Sequence, residues 1–318
     1  MGEKRIGDAG FADAFLGAGV GGNRRLERIA EIFDWPRFEA LLRPVRSPLG
    51  RKGYPALAMF KALLLQQWYR LSDPGLEEAL GDRLSFRRFC GFSLSDPTPD
   101  ETTFVRFRDA LARDGLAETL FREANRQLEA RGLILKAGTL MDATLVEASV
   151  ARPPSSEGKV SDLDPAAGFT RRGSKSFFGY KAHIAVDAGS EIIRDAILTG
   201  AEIYESLVAD DLVQGDERAV YADKAYEHKL RRRWLKQQGI KDRIMHRSHK
   251  HQNELPYWQK VRNRLISPIR ANVERLFGTM KRSYGYTRVR YRGLARNQAH
   301  LYLLCTAINL RRAVVITT

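Results

Sequence analysis

The chain predicts an α/β protein in which a mixed sheet flanked by helices follows an all-α N-terminal domain. Two observations carry this. From residue 24 to residue 132 apolar side chains recur at helical spacing, whereas beyond Arg131-Gly132 they fall into short runs rich in β-branched residues and broken by turn-forming ones. Taken in order, Leu26, Ile29, Ile32 and Phe33 mark a first helix, and Phe38, Leu41 and Leu42 a second. Tyr54 to Leu71 opens with Pro55 near a helix start and is apolar on most faces. Helices are expected near Gly75 to Arg83, Ser85 to Cys90, Glu101 to Arg113 and Leu116 to Ala130, with Asp100 placed to cap the Glu101 helix. Residues 1–23 show no such periodicity and are expected to be a flexible N-terminus.

The second domain spans 133–318. Leu140 to Ala148 reads as a first strand. Phe177 to Asp187 and Glu191 to Leu198, joined through Ala188-Gly189-Ser190, predict an antiparallel hairpin. Between them the Pro-, Ser- and Gly-rich stretch 151–175 is expected to be a mobile loop. A helix from Ser206 to Val213, a strand from Arg218 into Asp223, a basic helix near Lys229 to Gln238, a short strand at Ile240 to Met245 and helices at Ser267 to Ser283 and Leu294 to Ala313 complete the chain. The order β, β-hairpin, α, β, α, β, α, α matches a ribonuclease-H-like sheet, three leading strands followed by two crossover strands.

Charge narrows the partner. The formal net charge is +15 and the pI near 10.0. Between Lys224 and Arg296 there are 21 Lys and Arg against four Asp and Glu, so this stretch alone carries +17 and the remainder is close to neutral. A solvated basic face is the bland explanation. The interleaving of Trp234, Tyr257, Trp258, Tyr284, Tyr286 and Tyr291 favours a surface that tracks phosphates, hence a polyanionic partner. No run approaches the roughly 18 uncharged apolar residues of a membrane span, and the first residues lack a signal-peptide pattern, so a cytoplasmic protein with no membrane partner is expected. Cys90 and Cys305 sit in apolar contexts and read as buried thiols rather than a disulfide. His228, His246, His249 and His251 lie in a strongly cationic stretch that would repel zinc.

Phosphodiester cleavage near neutral pH requires an activated oxygen nucleophile and relief of charge on the phosphoryl group. Two divalent ions held by hard carboxylate oxygens provide both. Asp142, within LMDATLV, and Asp223, ending VYADKAY's strand, each interrupt an apolar strand where a lone charge is costly. Asp142 alone also fits a solvent-facing strand residue, and Asp223 a helix N-cap. Glu274 is the single acidic residue from Val261 to Thr318, set among Arg264, Arg270, Arg275, Lys281 and Arg282. It fits an ion-pair partner, but Arg270, Glu274 and Lys281 share one helical face, so a metal ligand and phosphate contacts can project together. Asp142, Asp223 and Glu274 are therefore the candidate catalytic and metal-binding residues. Arg270, Lys281, Arg264, Arg275, Lys224 and Arg282 are the candidate DNA contacts.

These stretches resemble the transposases of the IS-five insertion-sequence family within the wider DDE group. The matching segments are Met141-Asp142-Ala143-Thr144, Gly179 to His183 (GYKAH), Tyr221 to Tyr226 (YADKAY), Arg270 to Lys281 (RANVERLFGTMK) and Tyr291 to Leu294. The resemblance covers roughly residues 25–312. It implies that 24–132 recognises terminal inverted repeats and that 133–318 is a ribonuclease-H-like catalytic domain using two Mg2+ ions, with Mn2+ able to take the same ligands. It further implies action on element ends and target DNA, as a homodimer when ends are paired, at the bacterial nucleoid. Ser267 stands where the wider group has Tyr, and Ala201 to Ser206 (AEIYES) stands where many relatives read Ala-Asn-Val-His-Asp-Ser. The interval from Asp223 to Glu274 is too short for the large β-rich insertion of some DDE proteins.

Lys181 and His183, two apart on a strand, share a face and read first as packing and polar-network residues, with the edge of the active site the alternative. Asp187 is expected at a hairpin turn, Asp195 facing solvent, and Asp210 and Asp211 on an exposed helix face. Arg87, Arg88, Arg106 and Arg108 are candidate phosphate contacts of the helical domain. A DNA-binding regulator without catalysis and a purely hydrolytic nuclease are the rival readings.

Overall fold

Side-chain caps and buried stripes account for the helices of the first of two compact units, which comprises Met1–Leu128 and Tyr302–Thr318; the second is Glu129–Leu301. The computed structural model describes residues 3–8, 10, 13, 20–45, 52–153, 160–248 and 254–318. Much of the expected flexible N-terminus, the centre of the expected mobile loop (154–159), and His249 and His251 lie outside the described residues.

In the first unit, Asn23 accepts the Leu26 amide to start α1 (Arg24–Ile32), Ser72 accepts that of Gly75 to start α4 (Asp73–Asp82), and Asp100 accepts that of Thr103 to start α6 (Glu101–Arg113). The other helices are α2 (Trp35–Leu42), α3 (Ala56–Tyr69), α5 (Leu84–Cys90) and α7 (Leu116–Ala130). α3 is apolar around most of its circumference and is buried accordingly, with Phe60 against Phe38 and Trp68 against Phe89. The Trp68 indole donates to the Ala307 carbonyl at 2.8 Å, and Phe121 packs on Tyr302, so the end of the last helix completes this core. Cys90 and Cys305 are both buried and neither is in a disulfide.

Two arginines expected to contact phosphate are structural instead. Arg87 is 7% exposed and donates to the carbonyls of Leu80, Ser93, Leu94 and Asp96. Arg108, equally buried, grips Asp73 through two parallel bonds of 2.6 and 2.7 Å. Their guanidiniums satisfy groups that burial would otherwise leave unpaired.

The second unit is built on a six-stranded sheet of β1 (Thr139–Glu147), β2 (Gly168–Arg172), β3 (Lys175–Asp187), β4 (Ile193–Gly200), β5 (Ala219–Ala222) and β6 (Lys241–Ile244). The order is β2-β3-β1-β5-β6, with β4 also paired to β3. β1, β3 and β4 form the antiparallel leading set, while β5 and β6 join β1 as parallel crossover strands. This is the ribonuclease-H-like arrangement. Around it lie α8 (Glu205–Val208), α9 (Lys229–Gln237), α10 (Tyr257–Tyr284) and α11 (Leu294–Ile316), whose last part belongs to the first unit. α11 is long and apolar enough by length and composition to cross a membrane, but 72% of that window is buried, as befits a core helix.

Several elements depart from expectation. Residues 168–175 are not loop: Phe169 and Thr170 pair with Phe178 and Phe177 in a hairpin that extends β3. The Ser206 to Val213 helix is only the four residues of α8 before the chain turns. α10 begins ten residues before Ser267 and runs through Pro268. Within β3, Gly179 is indispensable to the pairing with β1, because a Cβ there would lie 2.3 Å from the Val146 carbonyl oxygen.

Candidate active site

Strand periodicity aims two carboxylates at one place. Met141 and Ala222 are fully buried in an apolar cluster with Ala185, Leu212, Val220 and Leu235, so the next residue along each strand, Asp142 and Asp223, faces the opposite side. β1 and β5 are in parallel register with Thr139 opposite Val220 and Leu140 opposite Tyr221. Continued by two residues, that register brings Asp142 level with Asp223. α10 packs against β1 and β5 and supplies Glu274. All three carboxylates line one open cleft of about 510 Å3, together with Arg270, Lys181 and Glu205.

The local bonds set the electrostatics. Asp142 Oδ1 accepts the Ala143 amide at 2.9 Å, and Oδ2 accepts from Arg270 Nη2 at 3.1 Å. Both side chains are under a fifth exposed. Burial pushes the Asp142 carboxyl up to about 6; Arg270 and the Ala143 amide oppose the rise, and the charges of Asp223 and Glu205 add to it. Glu205 is raised for the same leading reason, with Lys181 opposing and Asp223 adding. Asp223 Oδ1 accepts the Ala225 amide at 2.6 Å and so also caps the 3-10 turn Lys224–Tyr226. The Tyr226 hydroxyl, at the end of that turn, is buried without a hydrogen-bond partner among the described residues, and burial together with Asp142, Glu205 and Asp223 raises its pKa.

Hard oxygen donors on one cleft wall, a buried Asp142 carboxyl raised by desolvation and further by its acidic neighbours, and an unsatisfied buried hydroxyl beside them suit a divalent cation. Among the described residues, no three His, Cys, Asp or Glu side chains stand close enough to form a ready-made metal cluster. Arg270 supplies the positive charge nearest Asp142 instead.

Lys181 lines the cleft, its ammonium held by the Ile203 carbonyl at 2.8 Å and 3.8 Å from Glu205. His183 does not reach it, which corrects the pairing of the two as edge residues. It is fully buried, its Nε2 lies 3.0 Å from Thr199 Oγ1, and burial followed by the Lys181 charge lowers its pKa to about 3. Lys224 lines a neighbouring cleft rather than this one. Arg264, Arg275, Lys281 and Arg282 are not among the lining residues; Arg275 bonds Glu191 and Asn272. On α10 the face toward the cleft runs Arg270, Glu274, Phe277. Asp187 is buried and accepts the amides of Leu135, Lys136 and Ser190, which holds its turn. Asp195, expected to face solvent, is 4% exposed and accepts from Gln214, and Asp210 is engaged by Arg231. Glu205 and Tyr226 were not singled out from sequence.

A ribonuclease-H-like sheet whose central parallel strands and crossing helix deliver carboxylates to one cleft defines the class of phosphoryl-transfer proteins that act on nucleic acids. Residues 135–310 match the family model described as a transposase DDE domain, and residues 16–110 match one described as a transposase domain (DUF772). The chain belongs to the DDE transposase family, whose enzymes carry out DNA transposition by strand cleavage and strand transfer. Among solved structures, a piggyBac transposase synaptic complex with hairpin DNA is 12% identical over 92% of this chain and 72% of its own, with a TM-score of 0.46. The Mos1 strand transfer complex is 10% identical over 81% of this chain and 86% of its own, with a TM-score of 0.19. Both likenesses are distant.

Proposed function

We propose that Asp142, Asp223 and Glu274 are the catalytic carboxylates of a transposase that binds the terminal inverted repeats of an insertion sequence of the IS-five kind. The observation that carries this is the meeting of three residues, far apart in the chain, on one cleft. Mg2+ is the proposed cofactor, with Mn2+ an acceptable substitute. Asp142 and Asp223 would hold the ions and Glu274 complete one site. When bound, the ions supply activation of the attacking oxygen and neutralisation of charge on the phosphoryl group. Arg270 holds the Asp142 carboxylate in place through Oδ2, while the Ala143 amide fixes the other oxygen. Lys181 anchors the turn before α8 through Ile203 and so positions Glu205. The two reactions are hydrolysis at each element end and attack of the freed 3′-hydroxyl on target DNA. A homodimer on paired ends, acting at the bacterial nucleoid in the cytoplasm, completes the proposal.

The test incubates the protein with labelled DNA carrying the ends that flank its own gene, with Mg2+ or EDTA, and resolves products on denaturing gels. Metal-dependent nicks at the element boundary, absent with Asp142→Asn while end binding persists, are expected. Cleavage retained by Asp142→Asn would sink the assignment, and specific binding with no product under any metal would favour a regulator.

A further inference from the structure

A second open cleft, of about 900 Å3, begins one residue beyond Asp223, where Lys224 turns away from the carboxylates. Its charged lining is Lys224, Lys229, Arg232 and Arg247 against the single carboxylate Glu227, with His228 between them. That carboxylate is committed elsewhere. Glu227 Oε1 accepts from Arg232 Nη2 at 3.1 Å, and Oε2 accepts the Arg247 backbone amide at 2.7 Å. Arg232 also bonds Asp242. Glu227 therefore pins the Arg247 backbone to the wall and cancels Arg232, and the Lys224, Lys229 and Arg247 side chains, all exposed, are left without a carboxylate partner among the described residues. α9 starts at the same place, and its N-cap His228 makes no side-chain capping bond, so the first-turn amides add positive potential.

We propose that this cleft binds the backbone phosphates of the cleaved DNA strand on one side of the scissile position. The inference rests on the strand-cleaving role proposed above. Asp223 lines the first cleft and Lys224, the next residue, lines the second, so a strand seated with its reacting phosphate at Asp142 and Asp223 has the cations of the second cleft within a residue of its attachment. Cations that point into open space, beside a carboxylate already neutralised, suit a polyanion that carries one charge per nucleotide better than an acidic peptide of mixed sequence. Contacts of this type fix register without reading bases.

The test measures binding of the full chain to its own element end as a function of salt, for the wild type, for Lys224→Gln/Lys229→Gln/Arg247→Gln and for Lys224→Arg/Lys229→Arg/Arg247→Lys. Each lost phosphate contact lowers the slope of log K against log salt by about 0.9, so the neutral variant should lose about 2 to 3 in slope, equally on unrelated DNA, while the charge-keeping variant keeps the wild-type slope. Hydroxyl-radical footprints should lose protection next to the cut position only. An unchanged slope at unchanged thermal midpoint overturns the inference even if the wild type cuts its ends. If the wild type makes no metal-dependent cut yet the slope falls as stated, the phosphate cleft stands and the catalytic reading falls.

Discussion

Each oxygen of Asp142 already has a partner, yet its carboxyl is pushed up to about 6, because burial outweighs one guanidinium and one amide. Removing Arg270 alone leaves that charge uncompensated, at a cost of about 3 kcal/mol in metal-free protein. Asp142→Asn combined with Arg270→Ala should lose clearly less than the sum of the single changes, a coupling that urea denaturation of the four proteins measures. Arg87→Ala strips four carbonyls of their donor and should destabilise by about 2–4 kcal/mol. Exposed Arg106, in contrast, should change stability by less than about 0.5 kcal/mol on substitution. His183 gives a pH dependence. Its folded pKa, about 3, lies below the usual 6.5, so the native state binds fewer protons than the unfolded chain in that window. Stability is full above pH 6.5 and falls by about 1.4 kcal/mol per pH unit as acid is added, down to about pH 3. Unfolding free energies at pH 7.5 and 5 should differ by about 2 kcal/mol more for the wild type than for His183→Gln; an equal difference would show that the ring is not buried neutral.

Among the elements, those with chemical punctuation were legible. Asp100 marks the start of α6 and Gly115 its end, and the sequence reading of α6 and α7 coincides with the structure. α10 was cut short because Pro268 removes a helical amide and usually ends a helix. Here buried Ile266 and Val273 anchor the helix on both sides of the proline, so tertiary packing overrides the local rule. Pro268→Ala should therefore stabilise the protein by about 1–3 kcal/mol, readable as a raised urea midpoint with unchanged m. β2 escaped because Gly168, Thr170 and Arg171 show no alternating apolar face, and only the Phe169 contact with Phe178 declares the strand. The three carboxylates were readable because each interrupts an apolar or cationic pattern. Glu205 and Tyr226 were not, since one sits in an ordinary helix start and the other looks like any core aromatic until the carboxylates surround it. Gly179→Ala tests the pairing of β1 with β3: the new Cβ would strike backbone rather than a movable side chain. A loss of several kcal/mol, about 2–4, is expected together with loss of cleavage, since β1 carries Asp142.

For the whole molecule, charge is unevenly spent. The +17 between Lys224 and Arg296 belongs to the sheet unit's stretch of sequence, and binding to DNA should weaken by about a thousandfold or more between 50 and 200 mM salt if six or more phosphates are engaged. A titration showing only a few-fold change would mean that most of these cations face solvent alone. The chain also folds back on its own beginning: Tyr302 packs on Phe121, and Ala307 receives the Trp68 indole bond. A ribosome therefore cannot release a finished helical unit ahead of the catalytic one, although N-terminal units usually fold first during synthesis. The core around Trp68 stays open until Tyr302 to Ala307 emerge, and by then Glu274 has already been made. A message broken before codon 302 would leave the helical unit without the helix end that closes its core.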